Sequence, residues 1–309
     1  QYTPAIASAS EPYLFVPAAA IRPGNTVAIR YWLKQAPRTL TLDILDATGK
    51  VIRTYKGAPP PDTTKRAART DQSDDDEDNP RNRNPTASMV AGINTQTWDL
   101  RVAPATTFPG MILWGATTNG PLALPGTYQV RLTVDGKTLT RPVTLRKNPL
   151  ITDVTLADLT AQFDLAIQIR DKLSEANQAV INIRDLKTQA KDRLTKSQDP
   201  QLKAVADSFS KHVSDVEEAI YQVRNQSGQD PLNFPIKINN RLGTLLRTVT
   251  TGDGRPIGAA RPIFNDLSGE LKVQTDRLAK VLADDLAKLN AELKRLGLQE
   301  VSLAKPTIS

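Results

Sequence analysis

The hydrophobic period changes once along this chain, near Asn148-Pro149, and that change separates two parts of different fold class. Before it, apolar and β-branched residues alternate with polar ones, which is the period-2 pattern of half-buried strands. After it, apolar residues recur at every third or fourth position, as on one face of an α-helix. The pattern predicts two domains, residues 1–149 and residues 150–309, which is also what a length of 309 residues suggests.

The first part is predicted to be an all-β sandwich of immunoglobulin or fibronectin type. Alternation is clearest where Leu40, Leu42 and Ile44 interleave with polar neighbours, and Gly49 and Gly136 lie in short turns that suit hairpins. About eight such runs without a helical period between them favour a sandwich over an α/β sheet. The predicted strands cover residues 12–16, 26–33, 39–45, 51–55, 93–100, 111–114, 127–134 and 138–145.

Residues 57–92 interrupt this pattern with prolines, a basic stretch and an acidic run at residues 74–78. A polar segment of segregated charge buries too little apolar surface to fold alone, so we predict a long charged loop. The acidic run lacks the glycine that a calcium loop needs at its sixth position, which leaves loose cation binding as the alternative to a solvated loop.

The second part is predicted to be an antiparallel bundle of long helices. Thr155 can cap a first helix whose apolar positions run from Leu159 to Ile183 at spacings of three and four. Further helices are predicted over residues 201–224, 235–249 and 263–296, and Gly297 ends the last one. Helices with one apolar face and short links pack most simply as an antiparallel bundle.

Charge and composition exclude several classes of protein. The net charge of +7 is spread along the chain, with 18 basic and 12 acidic residues before residue 151 and 22 and 21 after it, so we predict no nucleic-acid binding. No apolar run approaches the roughly 20 residues that span a bilayer. The absence of cysteine excludes disulfides and thiolate sites, and we predict no metal and no cofactor.

Candidate catalytic residues are better explained as structural ones. The sole histidine, His212, lies between Ser210 and Asp215, but neighbours on one helix do not converge on one pocket as a catalytic triad requires. The adjacent acids Glu217-Glu218 and Asp284-Asp285 cannot face each other across a sugar, so we predict solvated helix surface. The glycines at residues 252–258 follow no strand, which predicts an interhelical loop rather than a phosphate loop.

A polar segment at residues 225–235, which we call the polar loop, is the strongest candidate for an interaction site. It is unusually dense in polar side chains for a helix connection, and its candidate binding residues are Asn225, Gln226, Gln229, Asp230, Asn233 and Phe234. The alternative is that these side chains cap the flanking helices while the prolines fix the turn.

Tryptophans raise a second possibility, since exposed indole rings stack on sugars. Trp98 and Trp114 lie on predicted strands, where burial in the core is the more common outcome. Buried tryptophans, including Trp32, would favour a structural role for the chain, and exposed ones would favour carbohydrate binding.

Several longer motifs resemble the C-terminal region of large bacterial proteins with sortilin-like, Asp-box repeat propellers, often labelled glycosyl hydrolases. The motifs are Ala91-Gly92-Ile93-Asn94, Trp98-Asp99-Leu100-Arg101, Phe108-Pro109-Gly110-Met111-Ile112-Leu113-Trp114-Gly115, Leu124-Pro125-Gly126-Thr127-Tyr128, Arg170-Asp171-Lys172-Leu173-Ser174-Glu175-Ala176-Asn177 and Asn225-Gln226-Ser227-Gly228-Gln229-Asp230-Pro231-Leu232-Asn233-Phe234-Pro235. The resemblance implies that propellers precede this region and that any hydrolase activity would belong to them. These 309 residues contain no Ser-x-Asp-x-Gly-x-x-Trp box and no blade-length repeat.

The resemblance also implies an exported setting, in the periplasm, at the cell surface or secreted, and a sandwich similar to the immunoglobulin-like domain of flagellar hook caps. Because the chain starts at Gln1 without a signal-like segment, we expect a processed or excised piece. The leading hypothesis is a non-catalytic segment that packs against a preceding propeller, binds a protein partner or self-associates through its helices. The alternative is an accessory carbohydrate-binding module of a glycosyl hydrolase.

Overall fold

A computed structural model of the chain describes residues 11–59 and 85–303. Most of the predicted charged loop, including its acidic run at residues 74–78, lies outside the described residues. The ends of that predicted loop are strand instead, because β5 extends to Ala58 and β7 starts at Gly92. A short strand at residues 87–88 also falls inside it.

Strands form two sheets that share one apolar core. Their bounds are β1 Tyr13–Leu14, β2 Ala20–Arg22, β3 Val27–Leu33, β4 Leu40–Leu45, β5 Val51–Ala58, β6 Ala87–Ser88, β7 Gly92–Trp98, β8 Gly126–Val134 and β9 Lys137–Lys147. One sheet has the order β1-β3-β7 and the other β2-β9-β8-β4-β5-β6, with parallel pairing only at β2-β9 and β5-β6 among the described strands. Both predicted hairpins are confirmed, since β4-β5 and β8-β9 are antiparallel neighbours.

Alternation along the strands explains how the two sheets pack. Buried residues of β3 and β7 from the smaller sheet join those of β4 and β8 from the larger one in a single hydrophobic cluster. Trp98 lies fully buried in it with its ring 5.6 Å from that of Tyr128, so its predicted core position is confirmed. Burial raises the pKa of the Tyr31 hydroxyl to about 12, as expected for a phenol removed from water. The region is therefore sandwich-like and sheet-rich, as predicted at that level.

Helices follow the sheets. They are α1 Leu156–Leu194, α2 Pro200–Ile220, α3 Ile238–Val249, α4 Ala260–Val281 and α5 Ala287–Arg295, with a π-helical turn at Leu282–Leu286 between the last two. Thr155 caps α1 as predicted, because its hydroxyl accepts a hydrogen bond from Asp158 N at 3.1 Å. Gly297 ends α5 at a φ of 68°, which confirms the predicted stop. Helix α2 packs against α3, α4 and α5.

The helices predicted over residues 201–224, 235–249 and 263–296 each differ from the observed ones, and the helix predicted from residue 235 begins at Ile238. The predicted helix over residues 263–296 begins earlier, at Ala260, and is interrupted by the π-helical turn, where the partly buried Asp285 lies four residues from each of the buried Val281 and Leu289. The predicted helix over residues 201–224 ends at Ile220, because Tyr221 takes an extended conformation with φ −129° and ψ 144°.

The chain divides into two compact units, each built from separate stretches of sequence. The sheet unit comprises the described residues of Gln1–Pro104, Asn119–Ala166 and Thr250–Pro256. The helical unit comprises those of Ala105–Thr118, Ile167–Val249 and Ile257–Ser309. This division differs from a single join near residue 149, since residues 105–118 group with the helices and residues 250–256 with the sheets.

Within the sheet unit, the segment Thr250–Pro256 is held by a buried ion pair. Arg22 Nη2 lies 2.6 Å from Asp253 Oδ1, and both side chains are almost fully buried, at 2% and 3% exposure. The other guanidinium nitrogen, Nη1, donates to the carbonyls of Leu122 and Ala123. The predicted loop at residues 252–258 is therefore confirmed as a loop, and its aspartate matches a charge that would otherwise be buried alone.

Candidate interaction site on the helical unit

Residues 105–118 form a loop that the helices of their own unit hold in place, and we call this segment the Ω-loop. A strand was expected at residues 111–114, and that prediction is wrong, because the segment has no regular secondary structure. Gly110 and Gly115 take left-handed conformations, with φ of 69° and 60°, and Met111 N donates to Phe108 O across a turn. The two turns remove the extended geometry that a strand needs.

Asn240 on α3 binds the main chain of Trp114 at both ends. Its Oδ1 accepts from Trp114 N at 2.8 Å, and its Nδ2 donates to Trp114 O at 2.9 Å. Asn240 itself is 4% exposed. Because the amide has a donor and an acceptor side by side, it pairs with one residue's main chain much as a neighbouring strand would.

Asn177 and Ser174 on α1 hold the start of the Ω-loop in the same way. Asn177 Nδ2 donates to Thr106 O at 2.7 Å, and Ser174 Oγ accepts from Thr106 N at 3.1 Å. Asn239 on α3 donates to Asn177 Oδ1 at 3.1 Å, which orients the fully buried Asn177 amide. Asn177 and Asn239 therefore lie among the buried apolar residues of α1 and α3, and Asn177 satisfies its donor on the carbonyl of Thr106.

Tyr221 holds the middle of the Ω-loop. Its hydroxyl accepts from Ile112 N at 3.0 Å and donates to Gly110 O at 3.3 Å. The Tyr221 ring meets the buried Phe108 ring edge to face at 5.1 Å. These contacts explain why α2 stops one residue earlier, since a helical Tyr221 would point its side chain elsewhere.

A cluster of charges with a buried carboxylate lies next to these two rings. The Arg184 guanidinium carbon is 4.7 Å from the centre of the Phe108 ring, and its Nε donates to Glu217 Oε1 at 2.7 Å. Lys187 Nζ bonds to the other oxygen of Glu217 at 3.1 Å. Glu217 is 4% exposed, so the prediction that it is solvated surface is wrong; its neighbour Glu218 is exposed as predicted. A carboxylate can be buried here because two cations match it.

A glycine lets the Ω-loop lie directly on α3. A Cβ added to Gly243 would come within 2.9 Å of Ala116 Cβ, closer than side chains normally approach. The Gly243 carbonyl accepts from Thr117 N at 3.1 Å, a bond that needs this close approach. Gly243 is in the interior of a helix, where glycine is otherwise unfavourable, so its presence is explained by the loop.

Trp114 itself faces solvent. Although its main chain is bound by Asn240, the residue is 52% exposed, so the prediction that it belongs to the core is wrong. The strand that would have placed Trp114 in a sheet core is not formed, because residues 111–114 have no regular secondary structure. Trp32 and Trp98, in contrast, are buried in the sheet unit.

The polar loop is organised mainly by Asp230. Its Oδ2 accepts from Gln226 N at 2.6 Å and Ser227 N at 2.9 Å, and these two hydrogen bonds hold the pKa of the Asp230 carboxyl below its usual value. Asp230 is also the first residue of a short 3-10 helix, Asp230–Leu232, which contains the buried Pro231. The aspartate therefore caps a turn inside the loop.

The other predicted binding residues of the polar loop are spread over its surface. Gln226, Gln229 and Asn233 are exposed, whereas Asn225 and Phe234 are partly buried. The Arg224 guanidinium carbon lies 5.7 Å from the Phe234 ring centre. Their role as a binding site stays a prediction.

His212 pairs with a residue that its sequence neighbours did not indicate. Its Nδ1 lies 2.6 Å from Asp285 Oδ2, on the π-helical turn, and its side chain is 42% exposed. Asp215, the acid of the rejected triad, bonds to Lys211 and Arg277 instead. Of the predicted surface pair Asp284-Asp285, Asp284 is exposed, whereas Asp285 is partly buried and contacts helix α2 through His212.

Two negative findings concern membranes and metals. Over residues 11–59 and 85–303, no helix combines the length and the hydropathy that a membrane crossing requires. In the same stretches, no three histidine, cysteine, aspartate or glutamate side chains cluster as metal ligands would.

Comparisons with known proteins give little guidance. No protein-family model matches the chain, and no curated protein matches it. Among solved structures, the chain is similar to CopC from Methylosinus trichosporium OB3b, at 16% identity and a TM-score of 0.20, over 45% of this chain and 96% of CopC. A likeness at that TM-score carries no argument about fold or function.

Proposed function

We propose that this chain is a non-catalytic structural and interaction segment of a larger exported bacterial propeller protein, in which it mediates domain packing, protein–protein contact or assembly. One observation supports it most. Asn177, Tyr221 and Asn240, three buried polar side chains of the helical unit, are bonded to the main chain of the Ω-loop. Groups already paired in this way support a contact between segments rather than a reaction.

The resemblance supports the same proposal. Its motif at residues 108–115 lies within the Ω-loop, and Ser174 and Asn177 of another motif bind Thr106. In this proposal the sheet unit is an immunoglobulin-like sandwich and the helices an antiparallel bundle. The setting is the periplasm, the cell surface or the medium, as in the similar family, and the preceding propeller is the first partner.

Size-exclusion chromatography with light scattering, combined with binding measurements against the separately produced upstream region, tests this proposal. We expect self-association or saturable binding of that region. A strictly monomeric chain that does not bind the upstream region would contradict it. A glycosidase assay on the purified chain gives an independent check. Measurable turnover that a substitution in this chain abolishes would also contradict the proposal.

A second function, an accessory carbohydrate-binding module, is favoured by the exposed Trp114. An indole that is 52% exposed while its main chain is fixed offers a flat surface on which a sugar ring can stack. A glycan array followed by fluorescence titration would detect such binding. Loss of binding in Trp114→Ala, with Trp114→Phe retaining part of it, would support this function, and an array without signal would remove it.

A further inference from the structure

An open cavity lies between three helices of the helical unit. The end of α2, the start of α3 and the middle of α4 line it, and its volume is about 360 Å³. That volume falls within the range of pockets that bind small molecules. Part of its wall is apolar and accessible, since Ile236 is 40% and Val273 62% exposed. The cavity therefore offers two apolar side chains to a molecule that enters it.

The charges in the cavity wall are unequal. Arg241 is matched by Glu270, because its two terminal nitrogens bond to the two carboxylate oxygens at 2.5 Å and 3.0 Å. Lys237 also lines the cavity, is partly buried, and has no carboxylate partner among the described residues. A cation that is partly removed from water without an opposite charge favours an anion beside it. The cavity is therefore complementary in charge to a small anion.

A second polar group in the wall lacks a partner. Gln274 lines the cavity, and its Oε1 is buried without a hydrogen bond among the described residues. Native structures rarely keep a buried acceptor unpaired. Because the terminal torsion of a glutamine side chain is soft, a small rotation turns this acceptor toward the cavity. A ligand that carries an N–H group can therefore satisfy it.

We propose that this cavity binds an amphipathic carboxylate, namely an apolar amino acid whose nitrogen is acylated. Its carboxylate lies at Lys237, its amide N–H donates to Gln274 Oε1, and its side chain packs between Ile236 and Val273. An acylated amino acid carries these three groups on one carbon atom, and so does the C-terminal residue of a peptide. The two sources share the chemistry that the cavity recognises. The proposal goes beyond the proposed function and does not rest on it.

Titrations of the unmodified chain with three small molecules test the proposal. N-acetyl-leucine carries all three groups, N-acetyl-leucinamide lacks the carboxylate, and 4-methylpentanoate lacks the amide. The methyl NMR signals of Ile236, Ile238 and Val273 report binding. We expect N-acetyl-leucine to bind with a Kd on the order of 1 mM, as its size permits, and each of the other two to bind about tenfold more weakly.

Two variants assign the contacts. Lys237→Gln should weaken the binding of N-acetyl-leucine about tenfold and leave that of N-acetyl-leucinamide unchanged. Lys280→Gln, at an exposed lysine of α4 outside the cavity, is the matched control and should change neither. Gln274→Leu should weaken the binding of N-acetyl-leucine but not that of 4-methylpentanoate, which has no N–H to donate. Because both ligands are measured on the same variant, an effect on folding would weaken both alike.

A tripeptide that ends in leucine distinguishes the two sources. If it binds at least as tightly as N-acetyl-leucine, and its C-terminal amide does not bind, the ligand is the C-terminus of a peptide. If N-acetyl-leucine binds and the tripeptide does not, the ligand is a free acylated amino acid.

The absence of saturable methyl shifts with N-acetyl-leucine, or equal affinity for the acid and its amide, would overturn the proposal. An equal effect of Lys237→Gln and Lys280→Gln would do the same. None of these results alters the proposed function, because self-association and binding of the upstream region are measured without a ligand.

Discussion

In the sheet unit, the buried Asp43 bonds to the two strands beside its own, whereas in the helical unit the buried Asn177 and Asn240 bond to a segment without regular structure. Asp43 on β4 bonds to Thr54 and Arg131 on the two neighbouring strands, so it reinforces a ladder that already exists. Asn177 and Asn240 reach out of their helices to the Ω-loop instead. These two buried asparagines thus mark the irregular segment that their helices hold.

The ion pair of Arg22 and Asp253 is the place where the sheet unit most resembles the helical unit, because it too holds a segment without regular structure. Asp253→Ala leaves the Arg22 charge buried without its partner and should lower the free energy of unfolding by about 3 to 5 kcal/mol. Urea unfolding followed by the fluorescence of the buried tryptophans measures this.

Asp266→Ala, at an exposed position, is the control and should change stability by less than about 0.5 kcal/mol. If Asp253→Ala also costs less than about 1 kcal/mol, the pair does not hold the segment. Replacing both charges together by apolar residues should recover most of the loss, since a buried pair is costly mainly when one partner is missing.

The next largest effect is expected at Asn240, on the helical side of the comparison. Asn240→Ala removes the partners of both Trp114 N and Trp114 O and should cost about 2 to 3 kcal/mol. Asn233→Ala, exposed on the polar loop, should be close to neutral. Thermal and urea unfolding of the two variants decide the matter, and equal stability of both would refute the assigned role of Asn240.

Two glycines should respond in opposite directions to the same substitution. Gly243→Ala places a Cβ within 2.9 Å of Ala116 Cβ and should destabilise by about 1 to 2 kcal/mol, despite the better helix propensity of alanine. Gly269→Ala, in α4 with nothing within 4 Å, should stabilise by about 0.5 to 1 kcal/mol.

Adding Ala116→Gly to Gly243→Ala provides a further check, because it removes the methyl group that the new side chain meets. Stability should recover in the double variant. If Gly243→Ala is as stabilising as Gly269→Ala, the Ω-loop does not lie on α3.

The smallest effect concerns pH and the polar loop. Hydrogen bonds donated by the main-chain amides of Gln226 and Ser227 lower the pKa of the Asp230 carboxyl. The stability that Asp230 contributes is therefore fully present above about pH 4, the pKa of an unfolded aspartate. It is lost as the pH falls through the lower pKa of the folded state. The protection of the Ser227 amide, measured as its exchange rate relative to the intrinsic rate at the same pH, should therefore fall at acidic pH. Asp230→Asn should abolish that dependence, and a dependence that persists in this variant would assign it to another group.

Sequence pattern predicted the regular elements because their apolar periodicity is local. Strand alternation at Leu42 and Ile44, the Gly49 turn and the Thr155 cap each depend on neighbours a few residues away. The errors share one cause, which is a partner distant in sequence. Residues 111–114 have the composition of a strand, but bonds from Tyr221 and Asn240 fix them as a loop.

Glu217 and Trp114 were misplaced for the same reason. Glu217 is buried because Arg184 and Lys187 lie on another helix, and no spacing around residue 217 indicates them. Trp114 is exposed because the Ω-loop turns its indole outward. A signal for the Ω-loop contacts was present in the helical stripes, where Asn177, Asn240 and Gly243 occupy positions that apolar residues usually fill.

Hydrogen exchange of the Ω-loop tests most directly the claim that the helical unit binds this segment through its main chain. The amides of Thr106, Ile112, Trp114 and Thr117 should be protected to a degree usual for helices, although no regular secondary structure contains them. Protection at Trp114 should fall in Asn240→Ala and persist in Asn233→Ala. Exchange of all four amides at the rate of an exposed loop in the unmodified chain would contradict the account.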